Sequence, residues 1–508
     1  MTYEDSNLTT IPAPIKGWNT ASPISQLLPD FAIKMENLVC WPDSVKSRKG
    51  SLAHATGTPT GGVKTLLPFF AAATAELYAA TDAGIFDVTG SGSVGSAVTT
   101  CSNGYGVAAL LSTSADSFLL FANGTDPIKR YDGSTWLDIT GAGTGAITGV
   151  PTDEINNLCV YRKRLYLGQA GVLGFWYLPV DSVAGSATFF NLGSTFTRGG
   201  YLVGMATWTI DGGNGTDDLI CFASSNGEVA VFYGSDPGEL DGWQPQGVFY
   251  VGKPPSVNCF QKWGGDLLYL CDAGIYPLSK SLSSISIDRS KAINANIQPT
   301  IVEAVNEFFS NEGWELIGLP AQNLLLINAP LDGEVVQYAM QTQTRAWSRF
   351  TQWQAQCWVE FNNETFFGDA EGVKKAFVGF ADEGVAIPVA LWTAYSRFNS
   401  LLQLQPLQIR PVILCDREIT YSLGMAQDFN DQYIMQPVET LSDTWAIADV
   451  SLWDEGIWGS KNRLQSRWRT VAARAGVSQS IAFEADLLGA QIQLVTFDLR
   501  TASQGPVM

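Results

Sequence analysis

Residues Asp266–Lys280 read DLLYLCDAGIYPLSK. The apolar run Leu267–Leu270 has the composition of a buried strand, Asp272–Gly274 provides a tight turn, and Ile275–Leu278 provides a second strand that pairs with the first. Branched and aromatic side chains suit a pleated, half-buried surface, and glycine tolerates the positive φ that short hairpin turns require. The stretch therefore predicts a β-hairpin.

Similar hairpin patterns recur along the chain, with starts 41 to 57 residues apart. Each is preceded by another strand-like run, such as Val63–Phe70 or Val257–Trp263. Four-stranded propeller blades repeat every ~40–50 residues. We therefore expect an all-β protein whose main domain is a β-propeller of six to eight blades. The predicted hairpins open at Glu76, Ser117, Arg164, Asp218, Asp266, Asn323 and Thr365.

The length and composition indicate a folded protein with a large core. The chain has 508 residues, of which 46% are hydrophobic and 16% are charged. No stretch approaches the ~18 consecutive apolar residues of a membrane-spanning helix, and the first residues, MTYEDSNLTT, are acidic where a signal peptide is basic. We expect no membrane span and assembly in a cytoplasm.

The eight cysteines lie far apart in the sequence. Disulfide scaffolds are small and dense in cysteine, and zinc sites usually pair Cys or His at short spacing. Neither pattern is present, so we expect the cysteines to pack as small hydrophobic residues. The only histidine is His54. We therefore expect no metal, no cofactor and no catalytic residues.

The formal net charge of −19 is unevenly distributed. The stretch Gly199–Gly252 contains no Lys or Arg, and Thr65–Ile128 also has acids only. Proteins that bind nucleic acid tightly carry basic residues that neutralise the phosphates, so we expect these two acidic stretches to repel DNA. Solvated acidic loops that serve only solubility are the alternative. The acids of the first stretch are Asp211, Asp217, Asp218, Glu228, Asp236, Glu239 and Asp241.

The sequence pattern predicts three parts. Residues 1–60 form an extended N-terminal strap, residues 61–385 form the propeller with a helix near 296–309, and residues 386–508 form a C-terminal β-rich docking domain that resembles a β-sandwich. The helix is indicated by Ile297, Ile301 and the following apolar residues at helical spacing. The C-terminal part carries an extended basic stretch, formed by Lys461, Arg463, Arg467, Arg469 and Arg474.

The strap, GWNTASPISQLLPDFAIKMENLVCWPDSVKSRKG at residues 17–50, is similar to the opening of the tail nozzle proteins of short-tailed bacteriophages. These are also called tail tubular or packaged-DNA stabilisation proteins. The C-terminal end resembles them too, with an Arg-Trp strand and a Gly-x-Ser step at Gly476–Ser478. The strap residues that match their signature are Trp18, Asn19, Pro29, Glu36, Asn37, Arg48 and Gly50.

This resemblance implies a structural virion protein of the phage tail. Such a subunit forms a homo-hexameric tube that docks below the portal or adaptor ring, passes double-stranded DNA, and retains and then releases the genome. It is assembled in the cytoplasm of the host bacterium, and a tail needle, plug or fibre protein is a further possible partner. We expect the acids of Gly199–Gly252 to face the channel, and the basic stretch to contact another subunit or the ring, with intra-chain pairing as the alternative.

The sequence is also compatible with two other functions. A receptor- or glycan-binding propeller at a tail tip would carry exposed aromatic side chains in a concave site. A carbohydrate-active enzyme would need two carboxylates ~5–10 Å apart in a pocket. The sequence alone does not separate these from the nozzle.

Overall fold

The computed structural model describes most of the chain. The chain is nearly all β, as predicted, with short helices between some strands. The described residues are 6–59, 61–72, 74–211, 216–239, 242–281, 288–397, 402–415, 417, 419–430, 432–438, 463–471 and 473–506.

The chain forms two compact units that are each discontinuous in sequence. The first unit comprises Met1–Leu52, Tyr338–Thr351 and Phe377–Met508, and the second comprises Ala53–Gln337 and Gln352–Ala376. The strap and the C-terminal part, which the sequence pattern treats as separate regions at the two ends of the chain, thus fall in the same unit.

Seven groups of three or more paired strands, which we call sheets A to G, occur in the described part of the chain; F is the first three strands of a nine-stranded sheet. Every predicted hairpin is present, as the second and third strands of one sheet. The strands in sheet order are Thr65–Phe70, Ala75–Thr81 and Gly84–Asp87 (A); Val107–Ser112, Ser117–Ala122, Ile128–Tyr131 and Trp136–Ile139 (B); Ile155–Tyr161, Arg164–Gln169, Gly174–Tyr177 and Thr188–Asn191 (C); Leu202–Asp211, Thr216–Ser224, Glu228–Gly234 and Trp243–Tyr250 (D); Phe260–Trp263, Asp266–Cys271 and Gly274–Pro277 (E); Glu315–Leu319, Leu324–Pro330 and Val335–Gln341 (F); Cys357–Phe361, Glu364–Gly368, Gly372–Ala376, Ser51–Thr56 and Gly92–Ser93 (G).

The hairpin of sheet E shows why these sequences turn where they do. Cys271 pairs with Gly274, which leaves Asp272 and Ala273 as the turn. Gly274 has a φ of 126°, in a region that favours glycine. A Cβ atom at this position would also lie 2.9 Å from the side-chain oxygen of Asn294, which accepts the N–H of Ile275. Glycine is therefore required for both the turn and the packing behind it.

Successive sheets of the second unit contact each other through their first strands. The first strand of each sheet contacts that of the next, from A through G, and the first strand of G contacts that of A. Buried apolar clusters fill the space between neighbouring sheets; one joins Phe69 of sheet A to Phe121 of sheet B, and another joins Phe175 of sheet C to Phe222 of sheet D. A short parallel pair, Ile147–Thr148 with Gly185–Ser186, lies outside these sheets.

Sheet G is completed by a strand from far earlier in the chain. Ser51–Thr56 lies next to Gly372–Ala376, and its residues Ala55 and Thr56 pair in parallel with Gly92–Ser93. A strand at the edge of a sheet exposes unpaired N–H and C=O groups. Ser51–Thr56 removes such an edge from the last hairpin of the unit.

The first unit contains two larger sheets whose side chains share one apolar core, an arrangement typical of a β-sandwich. Ile409 and Phe497 come from one sheet, and Leu391 and Phe483 come from the other. The strands of one are Ser6–Pro12, Leu38–Cys40, Val45–Ser47, Leu402–Cys415, Arg463–Gln465, Arg469–Thr470 and Ile492–Pro506. The other is the nine-stranded sheet, and its strands besides those of F are Ala32–Glu36, Trp347–Phe350, Ile387–Thr393, Tyr421–Gln427, Gln436–Val438 and Gln479–Leu487.

The longest described helix is Gln298–Glu307, within the range that the sequence pattern indicates. Pro299 lies in its first turn, where a missing N–H is tolerated, and Ile301 and Val305 are buried on one face. The short helices are Ile24–Gln26, Leu278–Ser281, Arg289–Lys291, Ala295–Ile297 and Pro320–Gln322.

All eight cysteines are buried and free of disulfides, which confirms their predicted packing role. Burial raises the pKa of the Cys159 and Cys271 thiols to about 12. Thiols with such pKa values stay protonated at neutral pH and are poor nucleophiles.

Candidate functional sites

Arg48, at the end of the strap, is the centre of a buried polar cluster in the first unit. Its guanidinium group donates to both carboxylate oxygens of Asp382, at 3.0 and 2.6 Å. The remaining N–H groups donate to the side-chain oxygen of Asn37 at 2.8 Å and to the carbonyl oxygens of Lys49 and Thr351, each at 3.0 Å. The Arg48 side chain is 0% exposed, and all its donors have partners. We call Asn37, Arg48, Thr351 and Asp382 the Arg48 cluster.

Burial lowers the pKa of Arg48, and the hydrogen bond and charge of Asp382 oppose that change. A bidentate pair between a planar guanidinium and a carboxylate fixes direction as well as distance. Breaking a buried pair of this kind by removing one partner costs about 3–5 kcal/mol, because a charge is left buried and uncompensated.

Asn37 holds the other side of the cluster. Its backbone φ is 55°, in the left-handed region that Asn tolerates better than most residues. The side-chain N–H groups donate to the Thr351 hydroxyl at 2.8 Å and to the Pro388 carbonyl at 2.7 Å, while the side-chain oxygen also accepts the N–H of Thr351 at 2.9 Å. Asn37 thereby ties the strap to two later segments of the chain.

Two glycines of the strap are required by close backbone approaches. A Cβ at Gly50 would overlap the carbonyl group of Ala381. Gly17 has a φ of 80°, and a Cβ there would lie 2.6 Å from the carbonyl oxygen of Trp347. The neighbouring Trp18 donates its indole N–H to the Ile33 carbonyl at 2.8 Å. Close backbone contacts and hydrogen bonds therefore hold the strap in place together.

The predicted basic residues lie near a tryptophan that is held between two other arginines. The guanidinium carbons of Arg410 and Arg500 lie 4.8 and 4.4 Å from the centre of the Trp468 ring. Arg410 also forms an ion pair with Asp498 at 2.5 Å. We call Arg410, Trp468 and Arg500 the Trp468 surface. The sequence pattern did not single out Arg410 and Arg500, which lie in the strands Leu402–Cys415 and Ile492–Pro506.

The structure places the predicted basic residues as follows. Arg467 and Arg474 are exposed, and Arg469 is half-buried. The Arg-Trp strand that the sequence predicts is short in the structure, where only Arg469–Thr470 is a strand and pairs with Gln408 and Ile409. Arg463 begins the strand Arg463–Gln465, its side chain is not among those described, and Lys461 lies outside the described residues.

Two of the predicted acidic residues are engaged within the chain. Glu228 is 4% exposed, and its carboxylate accepts the N–H of Arg198 at 2.7 Å and the hydroxyl of Thr197. Asp236 pairs with Arg164 at 2.9 Å. These contacts order loops of sheets C and D, so the two charges also have structural roles.

Among the other predicted acids, the two whose side chains are described are more open. Asp218 is half-buried and its carboxylate accepts the Thr209 hydroxyl at 3.0 Å, while Glu239 is exposed. Asp211 and Asp217 lie in strands of sheet D, but their side chains are not described. Asp241 lies outside the described residues.

A cavity of about 670 Å³ lies among the first strands of the second unit. Sheets A, B, F and G contribute wall residues from their first strands, and residues 255–258 and 310–314 contribute loops. We call it the inner-strand cavity. The sequence pattern did not indicate it, because the strands that line it are far apart in the chain.

Glu315, the first residue of sheet F, lines this cavity. Its carboxylate accepts the N–H of Trp358 at 3.2 Å. Removal from water raises its pKa to about 8, although that hydrogen bond lowers it. Part of the residue surface stays accessible because one side faces the cavity. The group is therefore mostly protonated at neutral pH, when it can both donate and accept a hydrogen bond.

The basic side chain that lines the cavity is paired. Lys64 forms an ion pair with Asp82 at 2.6 Å, and its ammonium group lies 4.8 Å from the centre of the Tyr105 ring. Hydrogen bonds from Lys64 and from the N–H of Gly104 hold the pKa of Asp82 below its usual value despite partial burial. The positive charge of Lys64 is thus already balanced by the Asp82 carboxylate.

The described residues contain no group of three or more His, Cys, Asp or Glu that could hold a metal ion. Among the helices of the same residues, none is long and apolar enough to cross a membrane.

No protein-family model and no curated protein matches this chain. Solved structures show distant similarity. The extracellular domain of a hybrid two-component system protein from B. thetaiotaomicron aligns with 9% identity and a TM-score of 0.42 over 75% of this chain, which spans only 52% of that domain. BBS1N, in complex with ARL6DN, aligns with 11% identity and a TM-score of 0.37 over 67% of this chain and 98% of its own. Neither is a phage tail protein.

Proposed function

We propose that the chain is a structural virion protein, one subunit of a hexameric tail nozzle of a short-tailed bacteriophage. The nozzle docks below the portal or adaptor ring, forms a channel for double-stranded DNA, and retains and then releases the packaged genome. The role requires no catalysis and no cofactor.

The observation that carries this proposal is the Arg48 cluster. The resemblance to nozzle proteins rests partly on Asn37, Arg48 and Gly50. Asn37 is bonded to Arg48, Arg48 is bonded to Asp382, and Gly50 lies so close to the backbone of Ala381 that no side chain fits. The residues that match the nozzle proteins are therefore residues that hold the strap in place. The resemblance therefore concerns residues with a shared structural purpose and not scattered identities.

Sheets A to G support a finer proposal, that the second unit is a seven-bladed β-propeller. The hairpins repeat at blade-like spacing, and the first strands contact one another in order from A to G and back to A. Completion of sheet G by Ser51–Thr56, an N-terminal strand, is a common way to close such a ring of sheets.

Charge supports the passage of DNA. The net charge is −19, and a wall with few basic residues makes few phosphate contacts, each of which strengthens DNA binding strongly at low salt. We assign the channel-facing role to the open acids Asp218 and Glu239, together with Asp211, Asp217 and Asp241 of the same stretch. Glu228 and Asp236 contribute less, because their charges are bonded within the chain.

The Trp468 surface is the proposed contact for the next subunit or for the ring above. Arg467 and Arg474 are exposed beside it in sequence, and carboxylates of a partner can accept guanidinium groups in bidentate fashion. A needle, plug or fibre protein binds elsewhere on the nozzle.

The experiment is reconstitution with the portal and adaptor ring of the same phage. Mass measurement by light scattering and imaging by electron microscopy should show six copies around a central hole. Trp468→Ala should prevent assembly, whereas Trp176→Ala, which changes a half-buried tryptophan of sheet C, should not. Failure to form a six-membered ring with the partner present, or a hole lined by arginine and lysine, overturns the proposal.

A further inference from the structure

We propose that the inner-strand cavity binds an uncharged, hydroxyl-bearing ligand, a saccharide of about one to three sugar rings. The inference is independent of the nozzle proposal, since it concerns only residues of the second unit.

The size of the cavity suits such a ligand. Its volume of about 670 Å³ lies within the ~300–1,000 Å³ typical of small-molecule sites. Water-sized gaps between packed sheets are far smaller than this. The cavity is therefore large enough to hold a ligand and not merely a few waters.

One wall is apolar and incompletely covered. Phe70 and Leu110 are 40% and 36% exposed although both lie on first strands, which are otherwise the inner strands of their sheets. Val107, Ala108 and their neighbour Ala109 are half-buried instead of alternating between buried and exposed. Sugar rings carry an apolar C–H face that packs on aromatic and aliphatic side chains, so this wall offers a stacking surface.

Other residues that line the cavity carry polar side chains. Glu315 and the amide side chains of Gln356 and Asn258 line it, and Asn258 is exposed. Carboxyl and amide groups both donate and accept hydrogen bonds, as sugar hydroxyls do. An apolar wall opposite a few convergent polar groups is the usual make-up of a ligand site.

The charges exclude anionic ligands. Lys64 is the one basic side chain among the residues that line the described cavity, and Asp82 already pairs with it. An anionic ligand would meet no free positive charge there. Two acidic residues also line the cavity: burial keeps Glu315 mostly neutral at pH 7, whereas Glu312 is exposed to solvent. A neutral ligand that can hydrogen-bond to both carboxyl groups fits this lining, and the comparison with basic sugars below tests whether Glu312 selects a cation instead.

The test is saturation-transfer NMR on the full chain with neutral monosaccharides and disaccharides, followed by titration calorimetry of those that give a signal. We expect at least one to bind. Phe70→Ala should raise the Kd about 5-fold or more through loss of the stacking surface. The matched control is Phe189→Ala, because Phe189 is also 40% exposed but lies on sheet C away from the cavity.

Glu315 provides a second test with a distinct readout. The affinity of the unmodified chain should fall as pH rises through about 8, the pKa of this group, whereas Glu315→Gln should bind equally on both sides of that value. Glu315→Ala should raise the Kd about 10-fold at pH 7. Circular dichroism of each variant verifies that the sheets are intact.

Three results overturn the inference. The first is the absence of saturation transfer from every neutral sugar at 10 mM, a concentration that corresponds roughly to the weakest affinity worth assigning to a built site. The second is an equal loss of affinity in Phe70→Ala and Phe189→Ala. The third is binding that is confined to acidic or basic sugars. None of these bears on hexamer formation, so failure here leaves the nozzle proposal unaffected.

Discussion

Replacing Asp382 by alanine tests whether the Arg48 cluster fastens the first unit. The change leaves the Arg48 guanidinium, 0% exposed, with its carboxylate partner removed and only the neutral acceptors of Asn37, Lys49 and Thr351. Breaking a buried pair from one side costs about 3–5 kcal/mol. A unit of about 200 residues loses about 2–4 °C of Tm per kcal/mol, so we expect a decrease of about 6–20 °C in its unfolding transition.

The assay is differential scanning calorimetry combined with hydrogen exchange of the Arg48 and Thr351 amides. The double variant Arg48→Met with Asp382→Leu is the informative control, because replacing both charges by apolar side chains avoids the uncompensated buried charge and is often nearly neutral. It should recover most of the lost stability. A decrease in Tm below about 3 °C for Asp382→Ala, or a double variant no more stable than the single one, refutes the reasoning.

Three further outcomes follow from the structure. The pKa of Glu315 is about 8 in the folded chain, above its ordinary value of 4.5. The stability that its protonated form contributes is therefore fully present below about pH 4.5 and is lost as the pH rises through 8. The loss amounts to at most about 5 kcal/mol, and urea unfolding across this range should show it in the unmodified chain but not in Glu315→Gln. Gly50→Ala should destabilise the first unit by about 2–3 kcal/mol, because its Cβ would overlap Ala381, whereas Gly141→Ala, with open space around it, should leave the urea midpoint unchanged. Binding of the chain to the proposed ring partner should weaken as salt rises from 0.05 to 0.5 M, roughly a change from about 14 to 4 Å in screening length, and a salt-independent affinity would contradict the role proposed for the Trp468 surface.

The sequence predicts the local parts of this fold well. The hairpin at Asp266–Lys280 depends on neighbours within 15 residues, because its turn residues and its two apolar strands lie side by side in the chain. The same holds for the helix Gln298–Glu307, whose apolar residues recur at helical spacing. Local structure that depends only on neighbouring residues can be predicted directly from the sequence.

The long-range parts could not be predicted. Arg48 and Asp382 are 334 residues apart, and no pattern within either segment indicates the other. Glu315 precedes an ordinary apolar strand, and its raised pKa depends on burial beside Trp358, 43 residues later. The acidic stretch shows the same limit, since composition does not reveal that Asp236 pairs with Arg164. These properties arise from tertiary packing, which a single sequence does not display.

The position of Ser51–Thr56 in sheet G has a consequence for synthesis on the ribosome. This strand emerges early, but its neighbour Gly372–Ala376 is translated more than 300 residues later. At roughly 5–20 residues per second, the wait lasts about 15–60 s. During that interval the nascent strand has an open hydrogen-bonding edge, which is a template for pairing with other chains on the same polysome. A chaperone or the early-folding sheets themselves must shield that edge until translation reaches the last hairpin.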